Sequence, residues 1–458
     1  MLPETRALSS GRYAGAAVAI VALAAVLRFY KLGEWSMWVD EGMTYVRAAT
    51  GNLSDQGPLY ATAPLNFLVT RAIISAFQPS LFWLRFFPAV CGVLGVAAIL
   101  WSGSRLAGPV AGLVAGLLLA LSPWHIDWSQ NARHFSAVFL FMVVAVTAFF
   151  LYWESGRIRW LLASGVASAL GLLTHSSSLF VLVGMGMYAT ILVLLRPYRT
   201  VIVTRQKLIA TAAFFVILVG AYAPIALSVS QYLGAHKTAW NSPSNVAASI
   251  LFYLGPLELV LAGLAGLLGA WRGRRGALLA LQCLCWPVIC VVVAASRTIS
   301  SGAYALPALG GAVVLVGMFV SDLWTDERRE VSLVLVAAVA AQLGLRTGLY
   351  FTTEQGNRPP WREAAHWVTA SAASTDEIYA TEGVVLGYYA GDLARGRWLD
   401  QWRPPAPGRR QWLLVLSGDA DVGQAPLADF VRERCQIRQV FFRNSGPKRR
   451  DVVAYACE

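Results

Sequence analysis

The stretch Phe135-Ser-Ala-Val-Phe-Leu-Phe-Met-Val-Val-Ala-Val-Thr-Ala-Phe-Phe-Leu-Tyr-Trp153 carries no charged residue. A helix that crosses the apolar part of a bilayer needs about 20 such residues, at 1.5 Å of rise each. The stretch lacks the strict apolar/polar alternation of a barrel strand. It therefore predicts a spanning α-helix. Comparable runs lie at 13–29, 82–102, 107–123, 159–173, 178–195, 208–228, 248–270, 277–295, 303–321 and 331–349, with 159–173 the weakest. The expected fold is an α-helical polytopic membrane protein of about 11 transmembrane helices. The composition agrees. Of 458 residues, 57% are hydrophobic and 14% charged, against about 45–50% and about 25% in a soluble domain. A disordered chain and a disulfide scaffold are excluded, since six cysteines are ordinary usage.

The segments on either side of the quoted span differ in charge, and this difference alternates along the chain. One set of connections holds Arg6, Arg12, Arg105, Arg157, Arg159, Arg196, Arg199, Arg205, Lys207, Arg272, Arg274, Arg275, Arg328 and Arg329, with six acids. Short cytoplasmic loops collect Lys and Arg. The N-terminus is thus expected in the cytoplasm, and an odd number of spans puts the C-terminal segment outside. The first span has no small-residue cleavage site and reads as a retained anchor. Most of the formal net charge of +12 becomes an orientation signal, and nucleic acid is not an expected partner.

After residue 351 the apolar runs stop. The segment 352–458 has 14 basic and 13 acidic residues. Short strands are expected at Glu377–Ala380, Trp412–Leu416, Gln439–Phe442 and Asp451–Tyr455, and helices at Trp361–Ala373 and Leu427–Cys435. The reading is two domains: 1–351, transmembrane, with a long outer loop at 30–81, and 352–458, a small α/β extracytoplasmic domain. Cys435 and Cys457 are its only cysteines. Pairing and two free thiols are both open at this point.

The outer loops carry the unusual polar residues. The first includes Trp38-Val-Asp40-Glu41-Gly-Met-Thr-Tyr45. Neighbouring side chains on a helix point about 100° apart, so Asp40 and Glu41 are expected to do different work. The plainer alternative is a solvated first turn, where acids suit the helix dipole. The second outer loop reads Ser122-Pro-Trp-His125-Ile-Asp127-Trp-Ser-Gln130-Asn-Ala-Arg133-His134. Trp124 and Trp128 suit an interfacial belt. Arg133 offers a fork of donors that fits phosphate oxygens. His175, Lys237, Arg297 and Tyr304 lie near other outer span ends. Acids and cations that meet there would form a site for an anionic, membrane-borne substrate. No metal-ligand spacing is present, so no metal is assigned and a divalent ion stays open.

These pieces, in this order, resemble the C-type membrane glycosyltransferases that use polyprenyl-phosphate sugars, relatives of protein O-mannosyltransferases and of the lipid A aminoarabinose transferase. Trp38–Tyr45 resembles the family's acidic motif. Ala63-Pro64-Leu65 resembles a His-Pro-Pro-Leu segment, and Leu84-Arg85-Phe-Phe-Pro88 the arginine-led start of the next span. Ser122-Pro123 through Ser129-Gln130-Asn-Ala132-Arg133 resembles a Ser-Pro…Ser-Gln-Glu-Ala-Arg stretch. Tyr304-Ala-Leu-Pro307 and Trp361-Arg-Glu-Ala-Ala-His366 match later segments. Three positions depart: Thr62-Ala63 for His-Pro, Asn131 for Glu, and Gly302-Ala303 before Tyr304.

The resemblance implies an inverting transfer from a polyprenyl-phosphate sugar to a hydroxyl on a protein, lipid or glycan acceptor, at the outer face of the inner membrane. It implies Asp40 as general base with Glu41 beside it. Arg133, His125, Gln130, Lys237, Arg297 and Tyr304 are then donor-phosphate contacts, with Asp127, His134 and His175 as further substrate candidates. The competing class is a transporter or flippase for a lipid-linked sugar. It predicts polar or broken-helix sites at the bilayer midplane and related halves.

Overall fold

The computed structural model describes residues 10–51, 64–194, 203–235, 242–254, 263, 288–292, 302–325, 328–392, 396–406, 408–417, 426–445, 448–449 and 451–458. Its helices are α1 (Ser10–Phe29), α2 (Val39–Thr50), α3 (Pro64–Ala76), α4 (Leu81–Ala107), α5 (Pro109–Leu121), α6 (Pro123–Ser129), α7 (Phe135–Ser155), α8 (Ile158–Thr174), α9 (Leu179–Leu194), α10 (Arg205–Ala235), α11 (Pro243–Leu254), α12 (Leu306–Thr325), α13 (Arg329–Phe351), α14 (Trp361–Ser371), α15 (Gly383–Tyr389) and α16 (Leu427–Arg434). The chain is a multi-pass membrane protein. Among the described residues seven helical segments are long and apolar enough to cross a bilayer, or eight if the bent pair α5 and α6 is one span. The runs expected at 248–270 and 277–295 lie mostly outside the described residues.

The chain forms two compact units. The first comprises Met1–Tyr30, Gly51–Ile73 and Arg85–Thr347; the second Lys31–Thr50, Ile74–Leu84 and Gly348–Glu458. The second unit therefore takes in parts of the segment 30–81, expected from the sequence to be the first outer loop, as well as the C-terminal segment.

In the first unit, α1 and α12 pack on α5, and α7 packs on α8. Close helix approach in a membrane needs small residues. A Cβ on Gly103 of α4 would stand 2.8 Å from the Cα of Gly112 on α5. The run 107–123, expected as one span, ends at Leu121 and is followed by α6 at a bend of 62°. The cause is local. Pro123 pushes Ser122 out of the α region, to φ −67° and ψ 116°. The Ser122 hydroxyl then accepts from the His125 N–H and starts the new helix.

In the second unit a five-stranded sheet runs in the order β2-β1-β3-β7-β4. The strands are β1 (Glu377–Ala380), β2 (Arg397–Trp398), β3 (Gln411–Leu416), β4 (Cys435–Phe441) and β7 (Val452–Cys457), with a small ribbon β5 (Asn444–Ser445) and β6 (Lys448–Arg449). β1 is parallel to β2 and β3, and β7 is antiparallel to β3 and β4. Tyr379, Leu413, Val415, Leu399, Leu427 and Cys457 form one core. On α14, Trp361, Ala364, Ala365 and Val368 are buried, the i, i+3, i+4, i+7 pattern of a helix face. The sequence placed β4 at 439–442, but it begins at Cys435, where Cys435 lies opposite Cys457.

Cys435 and Cys457 are bonded, which settles the pairing left open by the sequence. The closed segment spans a separation of 22 residues, so its loss should cost about 3 kcal/mol by chain entropy. A Cys435→Ser variant is expected to unfold at a lower temperature. Dithiothreitol should lower the wild-type midpoint and leave the variant's unchanged.

Candidate functional site

The acidic pair sits on α2. The Trp38 carbonyl accepts from both the Glu41 and Gly42 N–H groups at 3.0 Å, which starts the helix just before the acids. Asp40 and Glu41 then occupy its first turn, where the dipole favours negative charge. Their surroundings differ. Glu41 is fully buried and faces the Arg358 guanidinium at 3.8 Å, with Arg358 itself only 4% exposed. Arg358 also lies over the Trp38 ring, 5.8 Å from its centre. Asp40 is half-buried. Tyr45, one turn on, meets Tyr388 of α15 edge-on at 5.2 Å. So the carboxylates do point to different environments, as their adjacency on a helix requires.

The first unit holds a second polar cluster. Arg28 is fully buried at the end of α1. It donates to the carbonyls of Leu119 and Ala120, at the end of α5, and to His125 Nδ1 at 2.8 Å. Both carbonyls lie in the last turn of α5, where acceptors outnumber intrahelical donors; the Leu119 carbonyl also accepts from the Ser122 N–H at 3.2 Å. Gln130 donates to the carbonyls of Leu27, Arg28 and Tyr30, closing the end of α1 in the same way. His125 and Gln130 are thus engaged with the scaffold. Sequence reading did not single out Arg28; its signal was a charged residue within an apolar run. Replacing Arg28 by Met would remove these hydrogen bonds and is expected to cost about 3 kcal/mol, read as a lowered thermal midpoint in detergent.

A third group brings together four of the expected residues. The rings of His134 and His175 stack at 3.8 Å with an interplanar angle of 5°. Tyr304 stacks on His175 at 5.1 Å. Ser177 donates its N–H to His175 Nδ1 at 3.1 Å, which leaves the proton of the neutral ring on Nε2. Burial holds His175 down to about 3, and the positive charge of Arg133 adds to the effect. Burial likewise holds His134 well below the usual imidazole value, with His175 and Arg133 contributing. Arg133 itself is half-buried. Asp127 is buried on α6, and Lys237 and Arg297 lie outside the described residues.

The imidazole pair has a consequence for pH. Both rings are neutral in the folded protein, and their folded proton affinities are depressed. The stability they contribute is therefore complete above the ordinary imidazole value of 6.5 and declines as pH falls from there towards 3. The thermal midpoint should drop between pH 6.5 and 4. A His134→Phe, His175→Phe variant should show a flatter profile over that interval; an unchanged slope would remove the pair as its source.

Two features answer to metal or cofactor chemistry. Among the described residues no group of three or more His, Cys, Asp or Glu side chains is placed to hold a metal ion. The cationic and neutral-donor cluster around Arg133 suits an anion.

Comparison with known proteins bears on the family and the fold. Residues 61–223 match the family described as dolichyl-phosphate-mannose-protein mannosyltransferase, a region that holds Arg133, His134 and His175 but not Asp40. No curated protein matches the chain significantly in sequence. In fold, the chain is similar to ArnT from Cupriavidus metallidurans in the apo state, with a TM-score of 0.59, 15% identity and coverage of 96% of this chain and 98% of that one. ArnT bound to undecaprenyl phosphate gives 0.56, 14%, and 98% of both chains. An oligosaccharyltransferase from Archaeoglobus fulgidus gives 0.52 and 13%, over 84% of this chain and 62% of that one. The family match covers residues 61–223 of the spanning region, and the fold along nearly the whole chain is similar to that of ArnT.

Proposed function

We propose that the protein is an inverting glycosyltransferase that moves a sugar from a polyprenyl-phosphate donor to a hydroxyl acceptor on the outer face of the inner membrane. The observation that carries the assignment of the base is the unequal fate of the acidic pair. Glu41 is buried against Arg358, whereas Asp40 is half-buried in the same helical turn. Asp40 takes the acceptor O–H proton as that oxygen bonds to the anomeric carbon. The bond from that carbon to the phosphate oxygen breaks, and the lipid phosphate leaves with the electron pair. A single displacement inverts the anomeric centre. The donor phosphate is a monoanion and the product a dianion, so charge grows on the leaving oxygen. Arg133, with Lys237 or Arg297, stabilises that charge; the His134–His175–Tyr304 stack lies beside Arg133. Polyprenyl phosphate as leaving group is supported by the undecaprenyl phosphate bound to ArnT and by the dolichyl-phosphate family description. The acceptor is a protein, lipid or glycan hydroxyl.

The Cys435–Cys457 disulfide supports an extracytoplasmic C-terminal segment, because disulfides persist in oxidising compartments. The loop charges support a cytoplasmic N-terminus. Among the described residues, the bend between α5 and α6 favours a transporter or flippase, since broken helices build such sites. One assay separates the two. Purified protein is given polyprenyl-phosphate sugars and candidate acceptors. The enzyme releases polyprenyl phosphate and forms a glycoside of inverted configuration. Movement of intact lipid-linked sugar between leaflets with no release would overturn the reading.

A further inference from the structure

The peptide that leads into α2 is fastened by residues more than 300 positions away, all within the second compact unit. Arg362 donates from Nη2 to the Gly33 carbonyl at 3.1 Å and from its N–H to Ser36 Oγ at 3.2 Å. The Ser36 hydroxyl in turn donates to Glu363 Oε2 at 3.3 Å. The Met37 N–H donates to the Tyr389 hydroxyl at 2.8 Å. Arg358 completes the set by facing Glu41 and covering Trp38.

The backbone that delivers Arg358 is unusual. Gln355, Gly356 and Asn357 have φ of 45°, 72° and 55°, a left-handed run that side-chain-bearing residues avoid. Gly356 fits because a Cβ there would collide with the Trp35 ring. Pro359 follows and holds Arg358 extended, at φ −115° and ψ 141°. Strained backbone persists where its surroundings force it, and such positions cluster at functional sites. The ion pair is also a poor device for stability alone. Burying both charges costs several kcal/mol, and uncharged residues of similar shape are often as stable.

We infer that Arg358 is the positioning residue for Asp40: from the head of the C-terminal segment it neutralises Glu41, clamps Trp38, and so fixes the first turn of α2. The inference rests on Asp40 as the base. It gives the C-terminal segment a part in the chemistry, because the second unit holds the turn that carries the base. Arginine suits the task, since its planar fork engages a carboxylate and its face stacks on an indole.

The test is a double-mutant cycle on the full chain in detergent, with an undecaprenyl-phosphate sugar that the wild type turns over. Arg358→Met is expected to lower kcat about 10–100-fold, the cost of a small misplacement, with donor KM within about twofold. Arg358→Lys should retain more activity than Arg358→Met. In an Asp40→Asn background Arg358→Met should cost less than about twofold, because a residue acting through Asp40 has nothing left to position. An equal loss in both backgrounds would overturn the inference while leaving Asp40 as the base. Wild-type turnover by Asp40→Asn alone would instead remove the base itself. If Arg358→Met does not fold, Glu41→Gln with Arg358→Met, an uncharged pair of similar shape, carries the same cycle. A wild-type kcat in that folded variant would overturn the positioning role.

Discussion

Asp40→Asn is expected to abolish most turnover while the protein still inserts and folds. General base assistance contributes typically 10²–10⁴-fold, and an amide cannot take the acceptor proton. The loss should fall on kcat, with donor KM nearly unchanged, because the proton moves only in the transition state. Folding should survive because Asp40 is half-buried while the buried anchor of the turn is Glu41. Glu41→Gln is the contrasting variant. It removes the negative charge that faces the buried Arg358 guanidinium and is expected to lower stability as well as rate. The measurement is release of polyprenyl phosphate, beside a thermal melt of each variant. Wild-type turnover by a folded Asp40→Asn protein would end the role of Asp40 as base.

Arg133→Gln is expected to have the second-largest effect on rate. Removing one preorganised donor to a developing anion costs about 10²–10³-fold in kcat. In the proposed reaction the donor enters as a phosphodiester with one negative charge and leaves as a phosphate with two, so a guanidinium placed there would do more in the transition state than in the ground state. The loss should therefore appear in kcat more than in donor KM. A variant with raised KM and unchanged kcat would make Arg133 a ground-state contact only. The change should also alter the imidazole pair. Arg133 is one of the causes that hold His134 and His175 low. Its removal should weaken the pH dependence of stability between pH 6.5 and 4, without abolishing it, because burial is the larger cause.

The spanning helices were legible because a bilayer leaves little choice of pattern. Length and a scarcity of charge suffice to mark Phe135–Ser155 or Leu81–Ala107. The break at Ser122 was legible in principle, since Ser-Pro is a helix-start signal, but apolar residues on both sides hid it. The four strands expected in the C-terminal segment lie within a few residues of β1, β3, β4 and β7, apart from the start of β4, while the two-residue strands β2, β5 and β6 were not expected. The start of β4 follows the pairing of Cys435 with Cys457, a non-local constraint.

The candidate site divides in the same way. Sequence alone determined that Asp40 and Glu41 lie side by side near a helix start, that an arginine and several polar side chains follow a Ser-Pro break, and that both motifs flank apolar spans. Local propensity and hydrophobicity are properties of neighbours along the chain, so they can be read there. Which carboxylate is buried, and against what, was decided by Arg358, 317 positions after Glu41. That His125 and Gln130 serve the end of α1, while His134, His175 and Tyr304 stack beside Arg133, was likewise decided by packing. Desolvation and charge pairing depend on distance in space, and only the tertiary structure sets that distance.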